Sequence, residues 1–155
     1  MWTRERVEAD AARFGLTTHF WGRTGPEAVK DIERHIGIPL NDDLREFGTH
    51  IGAAYIDVLD LFLTGNVASD GGERSTLTET ARLWKRCPDT EKKLVAVGSL
   101  YDTLYCWAPE ADTIRQYYRP RLQIHSLEEE WTSLESFIAS VLPYLQSLGE
   151  DEDEE

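Results

Sequence analysis

Residues 29–63 read VKDIERHIGIPLNDDLREFGTHIGAAYIDVLDLFL, and this stretch predicts two helices followed by strand. The first helix has an apolar stripe at helical spacing, formed by Val29, Ile32 and Ile36. Pro26 suits its first position, and Gly37 supplies a left-handed stop. Asn41 predicts the N-cap of the second helix, whose stripe is Leu44, Phe47 and Ile51. Residues 54–63 then predict one or two strands, broken near residues 57–60.

The flanking segments extend this pattern in both directions. Residues 3–14 predict a first helix, and Leu77, Ala81 and Trp84 predict another beyond the strands. A meander of short strands follows, at residues 94–97, 103–107, 113–118 and 122–124, with turns at 98–99, 109–110 and 119–120. Residues 126–142 predict the last helix, opened by a capping box of Ser126 and Glu129 and kinked or ended by Pro143.

Helices at both ends of the chain and strands in the middle predict an α+β fold. We expect one domain over residues 1–149, with an antiparallel sheet of about five to six strands. Residues 150–155 are all acidic and predict a disordered tail. In the 103–107 strand, Tyr105 and Trp107 share one face, and Leu104 and Cys106 share the other. The pattern leaves open which set faces the core.

The charge of the chain indicates what it binds. Its 16 basic and 29 acidic residues give a net charge of −13. Without residues 150–155 there are 23 acids and 16 bases, so the body of the protein still carries −7. Such a field repels nucleic acid and anionic membranes and favours a basic protein partner. We therefore expect no direct contact with nucleic acid or membrane.

Signatures of catalysis are missing from the sequence. The histidines are scattered singly, at positions 19, 35, 50 and 125, and Cys87 and Cys106 have no metal-ligand spacing. No Gly-rich phosphate loop or nucleophile elbow occurs. We predict a protein that is not an enzyme and has no metal or cofactor. The N-terminus has no apolar signal region, which predicts a cytoplasmic protein.

The order of these segments resembles the SUKH superfamily, the group related to the yeast Smi and Knr proteins. The similarity covers roughly residues 26–142. Its main positions are Ile32, Gly37, Ile38, Pro39, Leu40, Leu44, Phe47, Gly52, Ile56, Leu61 and Phe62. Residues 94–107 look like the family's paired strands around an Asp, here Asp102. Residues 126–142 look like its closing helix, with Phe137 and Ile138 in the usual place.

This resemblance implies an immunity protein that binds and neutralises a cognate toxin, often a nuclease or nucleic-acid deaminase. The alternative is a non-catalytic regulatory scaffold that binds a cellular protein. We expect a monomer or weak dimer whose acidic surface blocks the toxin's basic cleft. Carboxylates near strand ends and loops, with two tyrosine anchors, are the candidate interface. They are Asp57, Asp60, Asp70, Glu73, Tyr101, Asp102, Tyr105, Glu110 and Asp112.

Overall fold

The computed structural model describes residues 1–64, 76–86, 94–118 and 127–153. The helices in these ranges are α1 (Arg4–Ala12), α2 (Pro26–Ile36), α3 (Asp42–His50), α4 (Thr76–Arg86) and α5 (Leu134–Asp153). The strands are β1 (Thr18–Trp21), β2 (Ala53–Ile56), β3 (Leu59–Leu61), β4 (Val95–Leu100), β5 (Thr103–Ala108), β6 (Thr113–Tyr118) and β7 (Leu127–Trp131). Together they form the predicted single α+β domain, with a seven-stranded sheet in place of the expected five to six strands.

Helices α2 and α3 begin and end as their sequences predict. Pro26 occupies the first turn of α2, and Gly37 ends the helix in the left-handed conformation at φ 73°. The Asn41 side chain caps α3, because its Oδ1 accepts a hydrogen bond from the Leu44 amide at 2.8 Å. The predicted order of helix, crossover and helix before the first hairpin is confirmed.

The sheet is an open meander, in which each strand pairs antiparallel with the next in the order β1 to β7. Ile56 faces Leu59 and Leu100 faces Thr103, so each of these two hairpins turns within two residues. Ala108 faces Thr113, which leaves a four-residue turn between β5 and β6. The predicted antiparallel pairing is thus confirmed, while the predicted strand at 122–124 lies outside the described residues.

The predicted turn at residues 98–99 is wrong, because Gly98 and Ser99 lie inside β4. A Cβ atom at Gly98 would lie 2.9 Å from the backbone oxygen of Asp60 and 2.9 Å from Cδ2 of Leu61. Glycine is therefore needed here for the close approach of β3 rather than for a turn. The chain turns three residues later, at residues 101–102.

The start of the last helix also differs from the prediction. Residues 127–131 form β7 against β6, and α5 begins only at Leu134. Ser133 caps α5, since its Oγ accepts a hydrogen bond from the Ser136 amide at 3.0 Å. The four-residue spacing of Leu127 and Trp131 imitates a helical stripe, but in β7 Trp131 pairs with Ile114 and Leu127 pairs with Tyr117, across a register shift.

The end of α5 departs from its prediction too. Pro143 lies inside the helix, which continues to Asp153. Residues 150–153, expected in a disordered tail, therefore continue α5.

Apolar residues bury both faces of the sheet. The larger cluster joins Tyr105 and Trp107 to residues of α1, α2, α3 and α5. A smaller cluster on the other face joins Leu104 and Cys106 to Leu83 of α4. The two alternating sets of β5 are therefore both in the core, which resolves the alternative that the sequence left open. Cys106 is fully buried in the smaller cluster.

Candidate functional site

The meander sorts the predicted interface residues to two ends of the sheet. The β2–β3 and β4–β5 turns, at residues 57–58 and 101–102, lie at one end, here called the Tyr101 end. The β5–β6 turn, at residues 109–112, lies at the opposite end, here called the Asp112 end. Asp57 and Asp102 thus lie at one end, whereas Glu110 and Asp112 lie at the other. Asp70 and Glu73 lie outside the described residues.

Asp112 is tied to the rest of the protein. Its Oδ1 accepts hydrogen bonds from Asn41 Nδ2 at 2.8 Å and from Trp107 Nε1 at 3.0 Å. Asn41 is also the cap of α3, so Asp112 links the β5–β6 turn to the start of that helix. Its backbone has φ +54°, a left-handed conformation that Asp tolerates better than most residues. These contacts give Asp112 a structural role.

Asp57 has a similar role in the β2–β3 turn. Its Oδ1 accepts hydrogen bonds from the backbone amide and from the hydroxyl of Thr17, both at 2.8 Å. The Asp57 amide in turn donates to the Thr17 carbonyl at 2.9 Å. At φ +49° this residue is also left-handed. Its carboxylate therefore fixes the entry to β1, although the residue is exposed.

Two further predicted interface residues are buried. Asp60 is 5% exposed and Tyr105 is 2% exposed. The Tyr105 ring packs with Phe137 at a centroid distance of 4.5 Å and with Trp131 at 6.1 Å. The sequence placed Asp60 and Tyr105 on the binding surface, but in the structure both side chains belong to the interior of the sheet packing.

A cleft of about 430 Å³ opens beside the β4–β5 turn at the Tyr101 end. Strands β4 to β7 and helix α5 contribute to its walls. This aromatic cleft is lined by residues that include Tyr101, Asp102, Tyr105, Glu129, Trp131 and Tyr144. The side chains of Tyr101 and Tyr144 are 61% and 54% exposed, so two tyrosines stand at a concave surface with much of their area open to solvent.

The aromatic cleft carries acidic groups. Asp102 and Glu129 line it, and none of the described lining residues is Lys or Arg. Both acids are exposed. Neither carboxylate forms a hydrogen bond or ion pair with any residue that the structure describes. Two carboxylates beside two open tyrosine rings form a surface suited to a positively charged group.

Glu130, the next residue along β7, differs from Glu129 because it has partners within the chain. Glu130 lies on the opposite face of the strand from Glu129 and accepts hydrogen bonds from Thr113 Oγ1 and Arg115 Nε, both at 2.7 Å. The hydrogen bond from Thr113, followed by that from Arg115, lowers the pKa of Glu130 below its usual value. Glu130 is thus partnered within the chain, whereas Glu129 has no partner among the residues that the structure describes.

Comparison with known proteins decides the family. A family model described as "SMI1-KNR4 cell-wall" matches residues 18–143. The chain belongs to the SMI1-KNR4 family. This membership is consistent with an immunity or a regulatory role, and the family is generally non-catalytic. A search of curated proteins found no match.

No group of three or more His, Cys, Asp or Glu residues is placed to hold a metal ion within the described ranges. No helix among the described residues is both long and apolar enough to cross a bilayer.

Three residues that line the aromatic cleft were among the predicted interface residues, namely Tyr101, Asp102 and Tyr105. Three others were not predicted, namely Glu129, Trp131 and Tyr144. Reading residues 127–131 as a strand would have placed Glu129 and Trp131 on one face. The signal for that reading was Ser133, a better N-cap than Ser126 because an apolar helical stripe starts directly after it at Leu134. No local sequence pattern indicated that Tyr144 lines the cleft, because its position depends on how α5 packs against the sheet.

Proposed function

We propose that this SMI1-KNR4 protein is an immunity protein, which binds a cognate toxin directly and covers the toxin's basic active cleft. The observation that carries this proposal is the aromatic cleft, with its two exposed tyrosines and its two carboxylates that have no partner within the described residues. Aromatic anchors surrounded by polar groups are the usual composition of a binding hot spot. A nuclease or nucleic-acid deaminase is the toxin class that this surface suits best.

The overall charge supports the same partner. An enzyme that acts on nucleic acid carries Lys and Arg in its active cleft to hold phosphates. A protein with a net charge of −13 is attracted to such a cleft at long range, and this attraction speeds association. Fast capture matters for an immunity protein because any free toxin continues to damage the cell.

The experiment compares two double charge reversals that change the net charge by the same amount. Asp102→Lys with Glu129→Lys alters the aromatic cleft. Glu5→Lys with Glu8→Lys alters the exposed side of α1 and serves as the matched control. The measurement is the Kd for the toxin domain encoded by the neighbouring gene, together with protection of cells that express this domain.

We expect the cleft reversal to weaken binding by about 30-fold or more, since loss of close charge contacts costs roughly 2 kcal/mol or more. The α1 control should stay within about threefold of the parent protein. Equal losses in the two variants would contradict a localised site. Failure of the parent protein to bind the toxin domain at all would contradict the immunity role and favour a regulatory protein with a different partner.

A further inference from the structure

We infer that the aromatic cleft is a receptor for a single arginine side chain of the partner, and this inference rests on the proposed function. The inference specifies which chemical group of the partner contacts the acidic surface. The cleft, at about 430 Å³, holds an arginine side chain with room for the backbone that carries it. Its occupant is thus one anchoring residue rather than a large flat surface.

The aromatic rings favour a planar cation. Tyr101 and Tyr144 are the two most exposed aromatic side chains that the structure describes, and both line the cleft. Trp131, half-buried, adds a third ring and itself packs on Phe137 at 4.9 Å, so its position is fixed by the core. A guanidinium group stacks on such rings through its flat face, which an ammonium group does not offer.

The carboxylates complete the site. Asp102 and Glu129 come from the β4–β5 turn and from β7, so they approach the cleft from separate elements. A guanidinium has five N–H donors and pairs best with carboxylates. Several other surface acids pair with the protein's own arginines, such as Asp31 with Arg23 at 2.8 Å and Glu33 with Arg45 at 3.0 Å. At the aromatic cleft no described arginine fills this role, and the inferred arginine comes from the partner.

The backbone of Tyr101 supports the assignment. This residue has φ +51°, a conformation that costs a bulky residue about 1–3 kcal/mol. The other two left-handed residues that are not glycine, Asp57 and Asp112, offset this cost with side-chain hydrogen bonds. The Tyr101 side chain makes no hydrogen bond to a described residue and is largely exposed. Its ring is therefore placed for contact with another molecule rather than for stability of the chain.

The test uses the full chain and three blocked tripeptides, acetyl-Gly-X-Gly-amide, in which X is arginine, lysine or citrulline. Citrulline has nearly the shape of arginine but no charge. Amide chemical shifts of the ¹⁵N-labelled protein are followed at constant ionic strength. We expect saturable shifts from the arginine peptide that centre on residues 101–103, 129–131 and 140–144. We also expect at least tenfold weaker binding of citrulline and at least threefold weaker binding of lysine.

Two variants check the location. Tyr144→Ser removes an exposed ring and should weaken the arginine peptide at least fivefold, while a dispersed spectrum shows that the variant is folded. Glu8→Gln on α1 should leave the affinity unchanged. Equal binding of citrulline, equal binding of lysine, or shifts spread over acids outside the cleft would each overturn the inference. Because no toxin is present, this result is independent of whether the proposed toxin binds.

Discussion

The two ends of the sheet use the same backbone conformation for different purposes. At the Asp112 end, a left-handed Asp112 directs its carboxylate inward to Asn41 and Trp107. At the Tyr101 end, a left-handed Tyr101 leaves its ring 61% exposed beside an acidic cleft. Side-chain hydrogen bonds offset the strain at Asp112, whereas the Tyr101 side chain forms no hydrogen bond to a described residue. This difference separates a turn that stabilises the fold from a turn that is suited to binding.

The exposed carboxylates also differ in whether they bind groups of their own chain. The sequence suggested that acids near strand ends form one interface, yet Asp57 and Asp112 bind groups of their own chain. Asp102 lines the cleft and forms no such contact with the described residues. Exposure alone therefore does not mark the interface. What marks it is an exposed acid without a partner beside an aromatic surface.

The largest effect on stability is expected from Asp112→Ala. This change leaves the Nε1 donor of the buried Trp107 without its acceptor, frees the Asn41 amide, and places alanine at φ +54°. Together these losses should lower the free energy of unfolding by about 3 kcal/mol. Asp112→Asn keeps an acceptor oxygen and tolerates the conformation, so it should lose about 1 kcal/mol. Urea denaturation measures both, and a fully stable Asp112→Ala would remove the structural role.

Tyr101→Gly should show the opposite behaviour at the other end. Glycine removes the strain of positive φ but loses about 1 kcal/mol more conformational entropy on folding, so the free energy of unfolding should stay the same or rise by up to about 2 kcal/mol. The affinity for the partner should fall about 30-fold, which corresponds to a loss of about 2 kcal/mol from a hot spot. Calorimetric titration with the toxin domain tests the loss, with Glu110→Gln at the Asp112 end as the control. Unchanged affinity in Tyr101→Gly would contradict the binding role of this turn.

Asp57→Ala tests whether an acid at the Tyr101 end that is bonded to its own chain contributes to stability rather than to binding. Loss of the two hydrogen bonds from Thr17 should lower the free energy of unfolding by about 1.5 kcal/mol. Partner affinity should remain within about threefold, because this carboxylate is occupied by the chain itself. A large loss of affinity in a folded Asp57→Ala variant would extend the interface to the β2–β3 turn.

The smallest effect distinguishes the two neighbouring acids of β7. The lowered pKa of Glu130 means that its stabilising contribution is present above its unfolded pKa of about 4.3 and is lost as the pH falls through the lower folded value. Glu130→Gln should therefore cost less than about 1 kcal/mol at pH 7, and its difference from the parent protein should shrink below about pH 4. Thermal unfolding from pH 3 to 7 measures this trend. Glu129→Gln, which removes no pairing with a described residue, should leave the unfolding temperature at pH 7 unchanged.

Local sequence signals predicted much of the fold. Pro26, Gly37 and Asn41 act within a few residues of themselves, and the structure confirms the helix boundaries that they set. The signal is weaker for strands, because their stability depends on distant partners. Thus β1 has only four residues and depends on pairing with β2, and Gly98 looks like a turn residue until Asp60 of β3 is placed against it.

The candidate site was less predictable for the same reason. The sequence predicted Tyr101 and Asp102 as interface residues, although it placed the neighbouring turn at residues 98–99 instead of 101–102. Glu129 and Tyr144 reach the same cleft only through the pairing of β7 with β6 and the packing of α5. These contacts join residues far apart in the chain, and neither helical periodicity nor capping motifs carry information about them.

The most direct test is amide hydrogen exchange of the protein alone and in complex with a candidate toxin domain taken from a neighbouring gene. We predict that binding protects residues 100–105, 129–131 and 140–144 at the Tyr101 end. Residues 109–113 at the Asp112 end should exchange equally in both states. Protection centred on residues 109–113, with the aromatic cleft unchanged, would contradict the claim that the Tyr101 end is the binding surface.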